Sequence, residues 1–108
     1  MTYELYQLAR GRKNARQRYL SYDSMQQFGY TIDPENYECV YMGELNGTNL
    51  KAELEALFRK FNGDLDKPRD YSGRSMSVSD VIVVRGQGKA RAFYCDCVGF
   101  KEIEWEMM

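Results

Sequence analysis

Hydrophobic and polar residues alternate at the start of the chain, over residues 2–8 (TYELYQL). Successive side chains of a β-strand point to opposite faces of its sheet, and aromatic residues are common in strands. The alternation therefore predicts a strand that places Tyr3, Leu5 and Gln7 on one face. A similar stretch over residues 37–44 (YECVYMGE) predicts a second strand. It places Cys39, Tyr41 and Gly43 on one side and Val40 and Met42 on the other.

The C-terminal part of the chain has the composition of a β-hairpin followed by one more strand. Residues 80–84 (DVIVV) are dense in β-branched side chains, which is typical of a buried strand. A turn over residues 86–88 (GQG) then predicts a reversal into a strand over 90–97. Residues 98–105 (VGFKEIEW) follow as a last strand at the edge of the sheet, in which Phe100 and either Ile103 or Trp105 cover the sheet.

The clearest helical pattern lies in the middle of the chain. Five apolar residues fall at spacings that put them on one side of a helix, namely Leu50, Leu54, Leu57, Phe58 and Phe61. Charged residues occupy the other sides, so the pattern predicts an amphipathic helix over about 48–62. Either Thr48 or Asn49 is placed to cap its first turn.

Shorter and less regular segments connect these elements. Residues 10–18 (RGRKNARQR) predict a solvated turn that leads into a short strand around 16–21. Asp23 is placed to cap a short helix over 23–28. Residues 64–79 are polar and contain proline and glycine, so they predict a long loop.

These elements predict an α+β fold in a single domain over residues 1–108. We expect a mostly antiparallel sheet of about five strands, with the 48–62 helix packed on one face. The composition, 44% hydrophobic and 29% charged, is that of a globular domain. An exposed C-terminal edge strand leaves pairing with a second copy of the chain open.

The chain contains no histidine, which excludes Ser-His and Cys-His nucleophile pairs and removes the usual nitrogen ligand of zinc. Three cysteines, an odd number, and no recognisable export signal favour reduced thiols in the cytoplasm. Cys95 and Cys97 resemble half of a metal site but are interpreted as small buried residues beside the core, with a thiol-metal or redox role as the alternative. No apolar stretch approaches the roughly 20 residues that span a bilayer. We therefore expect no cofactor, no metal and no membrane partner.

Charge is nearly balanced over the whole chain, with 15 Lys and Arg against 16 Asp and Glu, but it is uneven locally. Residues 10–18 carry five cations and no acid. These cations are Arg10, Arg12, Lys13, Arg16 and Arg18. Arginines near tyrosines are the residue types enriched at protein-binding hot spots, and they also stack on bases and pair with phosphates. The segment therefore predicts a binding surface for a protein or for nucleic acid.

Two further sets of residues are candidates for partner contacts. Tyr71 and Arg74 lie in the long polar loop before the central hairpin. A small acidic patch is predicted near the C-terminus, formed by Asp96, Glu102, Glu104 and Glu106. Catalysis by Asp70 or Asp80 as a base is a weaker alternative, because no activated nucleophile accompanies either carboxylate.

Four segments together resemble the YodL-like family. They are TYELYQL, ENYECVYMGEL, SGRSMSVSDVIVV and AFYCDCVGFKEI, and they extend over nearly the whole chain. The S-x-S-V-x-D-V block runs from Ser75 to Val81, and the G-F-x-E end comprises Gly99, Phe100 and Glu102. Cys97 departs from the small hydroxyl residue typical of that position.

The resemblance implies an accessory protein of a phage or conjugative mobile element, and it brings no catalytic residues with it. The expected function is therefore inhibition of a host defence protein, such as a CRISPR effector nuclease or a restriction enzyme, by direct binding. On that reading the acidic patch covers a cationic channel of the target. The alternative is a nucleic-acid-binding module of DNA transfer that uses residues 10–18.

Overall fold

The computed structural model describes residues 1–63 and 67–105, and it confirms the α+β fold. The five strands form one sheet in the order β2-β1-β3-β4-β5, and every neighbouring pair is antiparallel. The strands are β1 (Thr2–Leu8), β2 (Tyr37–Glu44), β3 (Val81–Gly86), β4 (Lys89–Cys95) and β5 (Phe100–Ile103). The helices are α1 (Arg12–Ala15), α2 (Tyr22–Gln27) and α3 (Leu50–Asn62), with a 3-10 turn at Pro34–Asn36.

Helix α3 covers one face of the sheet, as its apolar stripe predicts. Its side chains Leu54, Leu57 and Phe61 are buried in a cluster that includes Leu5 and Ile82 of the sheet. The cap is the second of the two predicted residues, because the Asn49 side chain accepts a hydrogen bond from the Ala52 amide at 3.2 Å.

The other face is covered by short, irregular segments. Helix α2 contributes Met25, which is buried beside Tyr94 of β4. Trp105 packs its ring against Tyr6 and Tyr37, with ring centroids 5.1 and 5.3 Å apart. Burial on this face therefore depends on side chains that are far apart in sequence rather than on one periodic helix.

Helix α2 lies near the predicted bounds, but its cap differs from the predicted one. The Ser21 side chain accepts the hydrogen bond from the Ser24 amide at 3.1 Å. Asp23 lies inside the first turn, where its negative charge favours the positive end of the helix. Gly29, at φ +73°, lets the chain leave the helix in a left-handed conformation.

The strand predicted around residues 16–21 is wrong. This segment consists of turns, and Tyr19 has a φ of +70°. Strand β1 pairs with β2 along one edge and with β3 along the other, so neither edge is free to pair with the chain that follows it. The segment instead crosses the end of the sheet.

Strand β2 has the predicted bounds, but the predicted division of its side chains between the faces is wrong. Leu5 pairs with Tyr41 and Tyr6 pairs with Cys39, so Val40 is an extra residue in a β-bulge. A bulge shifts the alternation by one residue. Cys39 therefore shares a face with Tyr6 rather than with Tyr41.

The hairpin of β3 and β4 is confirmed, with Gln87 and Gly88 at positive φ in its turn, as a tight hairpin requires. Strand β4 ends at Cys95, two residues earlier than predicted. Cys95 is buried, but Cys97 is exposed in the following turn, so the prediction that both thiols are buried is wrong for Cys97. The final strand β5 runs from Phe100 to Ile103, inside the predicted 98–105 segment.

Candidate functional site

We call residues 10–18 the cationic segment, and it lies across the end of the sheet where β1 ends and β3 begins. The buried Asn14 amide holds the segment in place by donating a hydrogen bond to the Ala9 carbonyl at 2.9 Å. Just beyond the segment, the Tyr19 amide donates to the Ser79 hydroxyl at 3.2 Å. The backbone of the segment is thus tied to the domain on both sides of its charged residues.

Four of the five predicted cations point into solvent. Arg10, Arg12, Lys13 and Arg16 are exposed. Within residues 1–63 and 67–105, none of the four makes an ion pair within 4 Å. The covalent chain holds four positive charges within seven residues, and Arg10 shares a surface cavity with Glu38. The structure therefore leaves these four predicted site residues exposed in one short stretch of the chain.

Arg18, the fifth cation, is different. Its Nε and one terminal nitrogen are buried and have no hydrogen-bond partner. Its positive charge acts on the carboxylate of Asp80, where it favours the ionised form. Arg18 therefore belongs to the interior of this end of the molecule rather than to the exposed surface.

A buried polar cluster lies beneath the cationic segment, and we define it as Gln7, Tyr71, Arg74, Ser79 and Asp80. Gln7, at the end of β1, is only 1% exposed. Its Nε2 donates to Asp80 Oδ2 at 3.0 Å and to the Arg74 carbonyl at 2.9 Å, and its Oε1 accepts from the Arg74 amide at 2.9 Å. The Gln7 side chain thus fastens the long loop to β1 through three hydrogen bonds.

Tyr71 and Arg74, which the sequence suggested as partner contacts, form hydrogen bonds within the domain. The Tyr71 hydroxyl donates to the Arg74 carbonyl and accepts from Gln7 Nε2 at 3.2 Å. The Arg74 guanidinium donates to the Leu8 carbonyl at 2.8 Å. Both residues are half-buried, and their hydrogen bonds order the loop.

Among the carboxylates of the described residues, Asp80 has the pKa that is shifted most from its ordinary value. It is 2% exposed, and burial raises its pKa to about 7. Hydrogen bonds from Gln7 and from the Ser77 amide, which lies 3.0 Å from Oδ2, oppose that rise, as do the charges of Arg74 and Arg18. Gln7 and the Ser77 amide both donate to the same carboxylate oxygen, Oδ2.

The S-x-S-V-x-D-V block has a structural explanation in this cluster. Ser79 adopts a φ of +89°, which is uncommon for a residue other than glycine. Its amide donates to the Cys95 carbonyl at 3.0 Å, and its carbonyl accepts from the Tyr37 hydroxyl at 2.8 Å. The block therefore turns the loop sharply and aligns the start of β3.

The acidic residues do not form the predicted patch. Asp96 Oδ1 accepts hydrogen bonds from the Tyr22 amide at 3.1 Å and the Cys97 amide at 2.8 Å, and so ties α2 to the end of β4. Glu102 pairs with Arg91 at 2.7 Å on the opposite, α3-covered face. Glu104 is exposed beyond β5, and Glu106 lies outside the described residues.

The described cysteines are not clustered with other metal-ligating residues, and they differ in exposure, since Cys95 is buried while Cys39 and Cys97 are exposed. No three of the described residues among His, Cys, Asp and Glu are arranged to hold a metal ion. Burial raises the pKa of Cys95 to about 12, so this thiol stays protonated at neutral pH. Among the helices described, none is long and apolar enough to cross a bilayer.

The family is decided by comparison with known proteins. A family model described as the YodL-like domain matches residues 2–105. The chain belongs to the YodL-like family. It is also 34% identical over 62 residues to the uncharacterized protein YodL of Bacillus subtilis (strain 168), an alignment that covers 57% of this chain and 60% of that relative. No solved structure matches the chain.

Family membership confirms the resemblance drawn from the four sequence segments. Sequence reasoning missed Gln7 as the residue that organises the buried polar cluster. A signal for it was present, because a glutamine falls on the apolar face of the alternating first strand. A polar side chain at such a position needs buried partners, and these are the residues of the long loop.

Proposed function

We propose that this YodL-like protein acts without catalysis, by binding an acidic surface of another protein through its cationic segment. The observation that carries the proposal is the set of four exposed cations, Arg10, Arg12, Lys13 and Arg16, without an ion pair among the described residues. Exposed charges of one sign steer and orient a partner of opposite charge.

An exposed aromatic residue adds to the argument. Tyr19 follows the cationic segment and is 59% exposed at a φ of +70°. Arginine and tyrosine are the residues that most often dominate binding energy at protein interfaces. A strained backbone that keeps a large ring in water is easier to understand when a partner covers that ring.

The state of Asp80 favours binding over catalysis. Its pKa of about 7 is in the range that a general base needs. However, the side chain is 2% exposed and is held by Gln7 and Ser77 within the buried polar cluster. These contacts favour a role in ordering the loop, because a base must reach a substrate.

We further propose that the partner is a host defence protein in the cytoplasm, such as a CRISPR effector nuclease or a restriction enzyme. The proposal follows from the expected association of the family with phages and conjugative elements. On this proposal, the partner presents an acidic surface to the cationic segment. The earlier expectation was different, because there an acidic patch of this protein covered a cationic DNA-binding channel of the partner.

A matched pair of charge reversals tests this function. One variant carries Arg12→Glu, Lys13→Glu and Arg16→Glu, and the control carries Lys60→Glu, Arg69→Glu and Lys89→Glu. All six residues are exposed, and both variants change the net charge equally.

The measurement is protein capture from a nuclease-treated lysate of a host that expresses the defence system, together with the survival of a targeted plasmid. We expect the wild-type chain and the control to retain the same defence protein and to protect the plasmid. The cationic variant should lose both properties. Equal behaviour of the two variants, or capture of no protein, would contradict the proposal.

The second candidate function is a nucleic-acid-binding module, and the same four exposed cations favour it. Each neutralised phosphate adds roughly 0.7 to 0.9 to the slope of log affinity against log salt. Retention of single-stranded DNA or RNA that falls steeply with salt, and that disappears with Arg12→Glu and Arg16→Glu, would support this function. If no oligonucleotide is retained at low salt, this function is wrong.

A further inference from the structure

The turn between β4 and β5 presents an apolar side chain to solvent. Val98 is 94% exposed, the largest exposed fraction among the large hydrophobic residues that the structure describes. Turn positions are usually occupied by glycine, proline, asparagine, aspartate or serine. The geometry of the turn itself therefore gives no reason for a valine at its tip.

Three hydrogen bonds hold this turn in one conformation. The Asp96 amide donates to the Gly99 carbonyl at 3.0 Å. Asp96 Oδ1 accepts from the Cys97 amide at 2.8 Å and from the Tyr22 amide of α2 at 3.1 Å. Gly99 has a φ of +71°, a conformation that favours glycine. The backbone of Val98 is thus fixed in advance, which lowers the entropy cost of burying its side chain against a partner.

An apolar groove lies beside the turn, between α3 and the last two strands. It consists of two adjoining cavities of about 230 and 300 Å³, and Gly99, which follows Val98, lines both of them. Each cavity is large enough for a valine side chain. The apolar residues that line the groove are Leu50, Leu54, Phe58, Phe93 and Phe100. An exposed apolar side chain and an apolar groove are therefore neighbours on one surface, and such patches mark interaction sites.

Unpaired charges of both signs border the groove. Lys51, Glu55 and Arg59 follow each other at four-residue spacing along α3, and all three are exposed. Among the described residues, none of the three makes an ion pair within 4 Å. The two other charged lining residues, Arg91 and Asp96, are already bound within the domain. A uniformly acidic or uniformly basic partner would therefore place like charges opposite each other.

A second copy of the chain carries the complement of both features. In a two-fold arrangement a surface patch meets itself, so each copy can insert its Val98 into the groove of the other. When the two α3 helices run antiparallel, Lys51 of one copy can be placed opposite Glu55 of the other, and this contact occurs twice. The net charge of the chain is only −1, so two copies repel each other weakly.

We infer that this surface joins two copies of the chain, with Val98 of each copy in the groove of the other and Lys51 paired with Glu55 across the interface. None of residues 10–18 lines the groove. The inference therefore does not depend on the function proposed for the cationic segment.

Sedimentation equilibrium of the full chain over a range of concentrations measures the association. Val98→Asp places a charge on the tip of the turn, and Phe28→Asp is the matched control, because Phe28 is 67% exposed at the end of α2. We expect the wild-type chain and the control to form dimers equally well. Val98→Asp should raise the dissociation constant about a hundredfold or more, because each dimer loses the burial of two valine side chains.

A mixing experiment tests the ion pairs across the interface. Lys51→Glu leaves acids at positions 51 and 55, and Glu55→Lys leaves lysines at both. Each variant alone should therefore dimerise about tenfold or more weakly than the wild-type chain. In an equimolar mixture the acids of one variant face the lysines of the other, so heterodimers should form. A fluorophore on the N-terminus of one variant reports them.

Three outcomes would overturn the inference. They are a wild-type chain that stays monomeric at every concentration, equal weakening by Phe28→Asp and Val98→Asp, and a mixture that associates no better than its components. All four substituted residues are exposed, so the variants should keep the fold, and circular dichroism checks that they do.

Discussion

The cationic and the acidic residues that the sequence singled out have opposite fates in the folded protein. Arg10, Arg12, Lys13 and Arg16 remain neighbours, exposed and without ion pairs among the described residues. The acids separate, since Asp96 binds the backbone of α2 on one face while Glu102 pairs with a cation on the other. Among the described residues of the two sets, four neighbouring cations stay exposed, whereas Glu104 is the one acid that is exposed without an ion pair.

The difference follows from the local backbone. Arg10, Arg12, Lys13 and Arg16 lie in a short segment that includes helix α1 and belongs to no strand, so no strand alternation divides them between two faces, although Arg18 at the end of the run turns inward. Charges in and beside a strand are divided between the faces and come within reach of ladder neighbours or of helix termini. A charge run in a turn is therefore a safer prediction of a surface than a set of acids near a strand.

The largest expected effect is the pH dependence of the free energy of unfolding that the buried Asp80 causes. Its pKa lies near 7 in the folded chain and near 3.8 without burial. Between these values the folded state binds more protons than the unfolded state, so stability falls as the pH rises from about 4 to about 7. The slope reaches at most about 1.4 kcal/mol per pH unit, and the loss levels off above pH 7.

Asp80→Asn isolates this contribution. The asparagine oxygen can accept from both Gln7 and the Ser77 amide, which bind the same carboxylate oxygen. Urea unfolding between pH 4 and 8 should show a falling free energy of unfolding for the wild-type chain and a flatter profile for the variant. The same fall in both proteins would mean that another group causes it. Loss of partner binding in a folded Asp80→Asn chain would favour catalysis or direct contact.

Much of the fold could be predicted because its regular elements have a regular pattern. Helix α3 places five apolar residues at helical spacing, and the β3–β4 hairpin joins a β-branched run to a glycine turn. The bulge at Val40 could not be predicted, because one extra residue in a strand leaves the composition unchanged. The prediction of a short strand around 16–21 was wrong. A segment forms a strand only where a sheet edge is free, and both edges of the preceding strand β1 are already paired.

The site was predictable to a similar, partial extent. The four exposed cations could be predicted from their run in the sequence, since their exposure needs no long-range contact. Arg18 belongs to the same run but turns inward, toward Asp80, which is 62 positions away in the chain. Likewise, the partners of Gln7 lie more than 60 positions away, in a loop whose composition only indicates that it is polar.

A smaller effect on the free energy of unfolding is expected at Asp96, because this acid binds backbone amides rather than facing solvent. Asp96→Ala removes the acceptor for the Tyr22 and Cys97 amides. The loss should resemble that of a helix cap, about 1 kcal/mol in the free energy of unfolding. Asp96→Asn keeps an oxygen acceptor and serves as the control. A large loss of partner binding in the stable Asp96→Asn chain would restore this residue to the functional surface.

The exposed pair of Arg91 and Glu102 should contribute still less. Both side chains are about half-exposed, at 51% and 50%, so water screens their attraction. A double-mutant cycle with Arg91→Gln and Glu102→Gln should give a small coupling free energy that falls further in high salt. A coupling that is larger and insensitive to salt would show that Glu102 is not a surface charge.

The smallest effect on stability is expected in the cationic segment itself. Arg12→Gln, Lys13→Gln and Arg16→Gln each remove an exposed charge without a described ion pair, so each should change the free energy of unfolding by no more than about 0.5 kcal/mol. Arg18→Gln is the contrasting variant from the same run. Its removal withdraws a charge that favours ionised Asp80, so the pKa of Asp80, followed by carboxyl NMR, should rise further only in this variant. If Arg16→Gln moved that pKa as much as Arg18→Gln, the division between an outer cationic surface and an inner charge would be wrong.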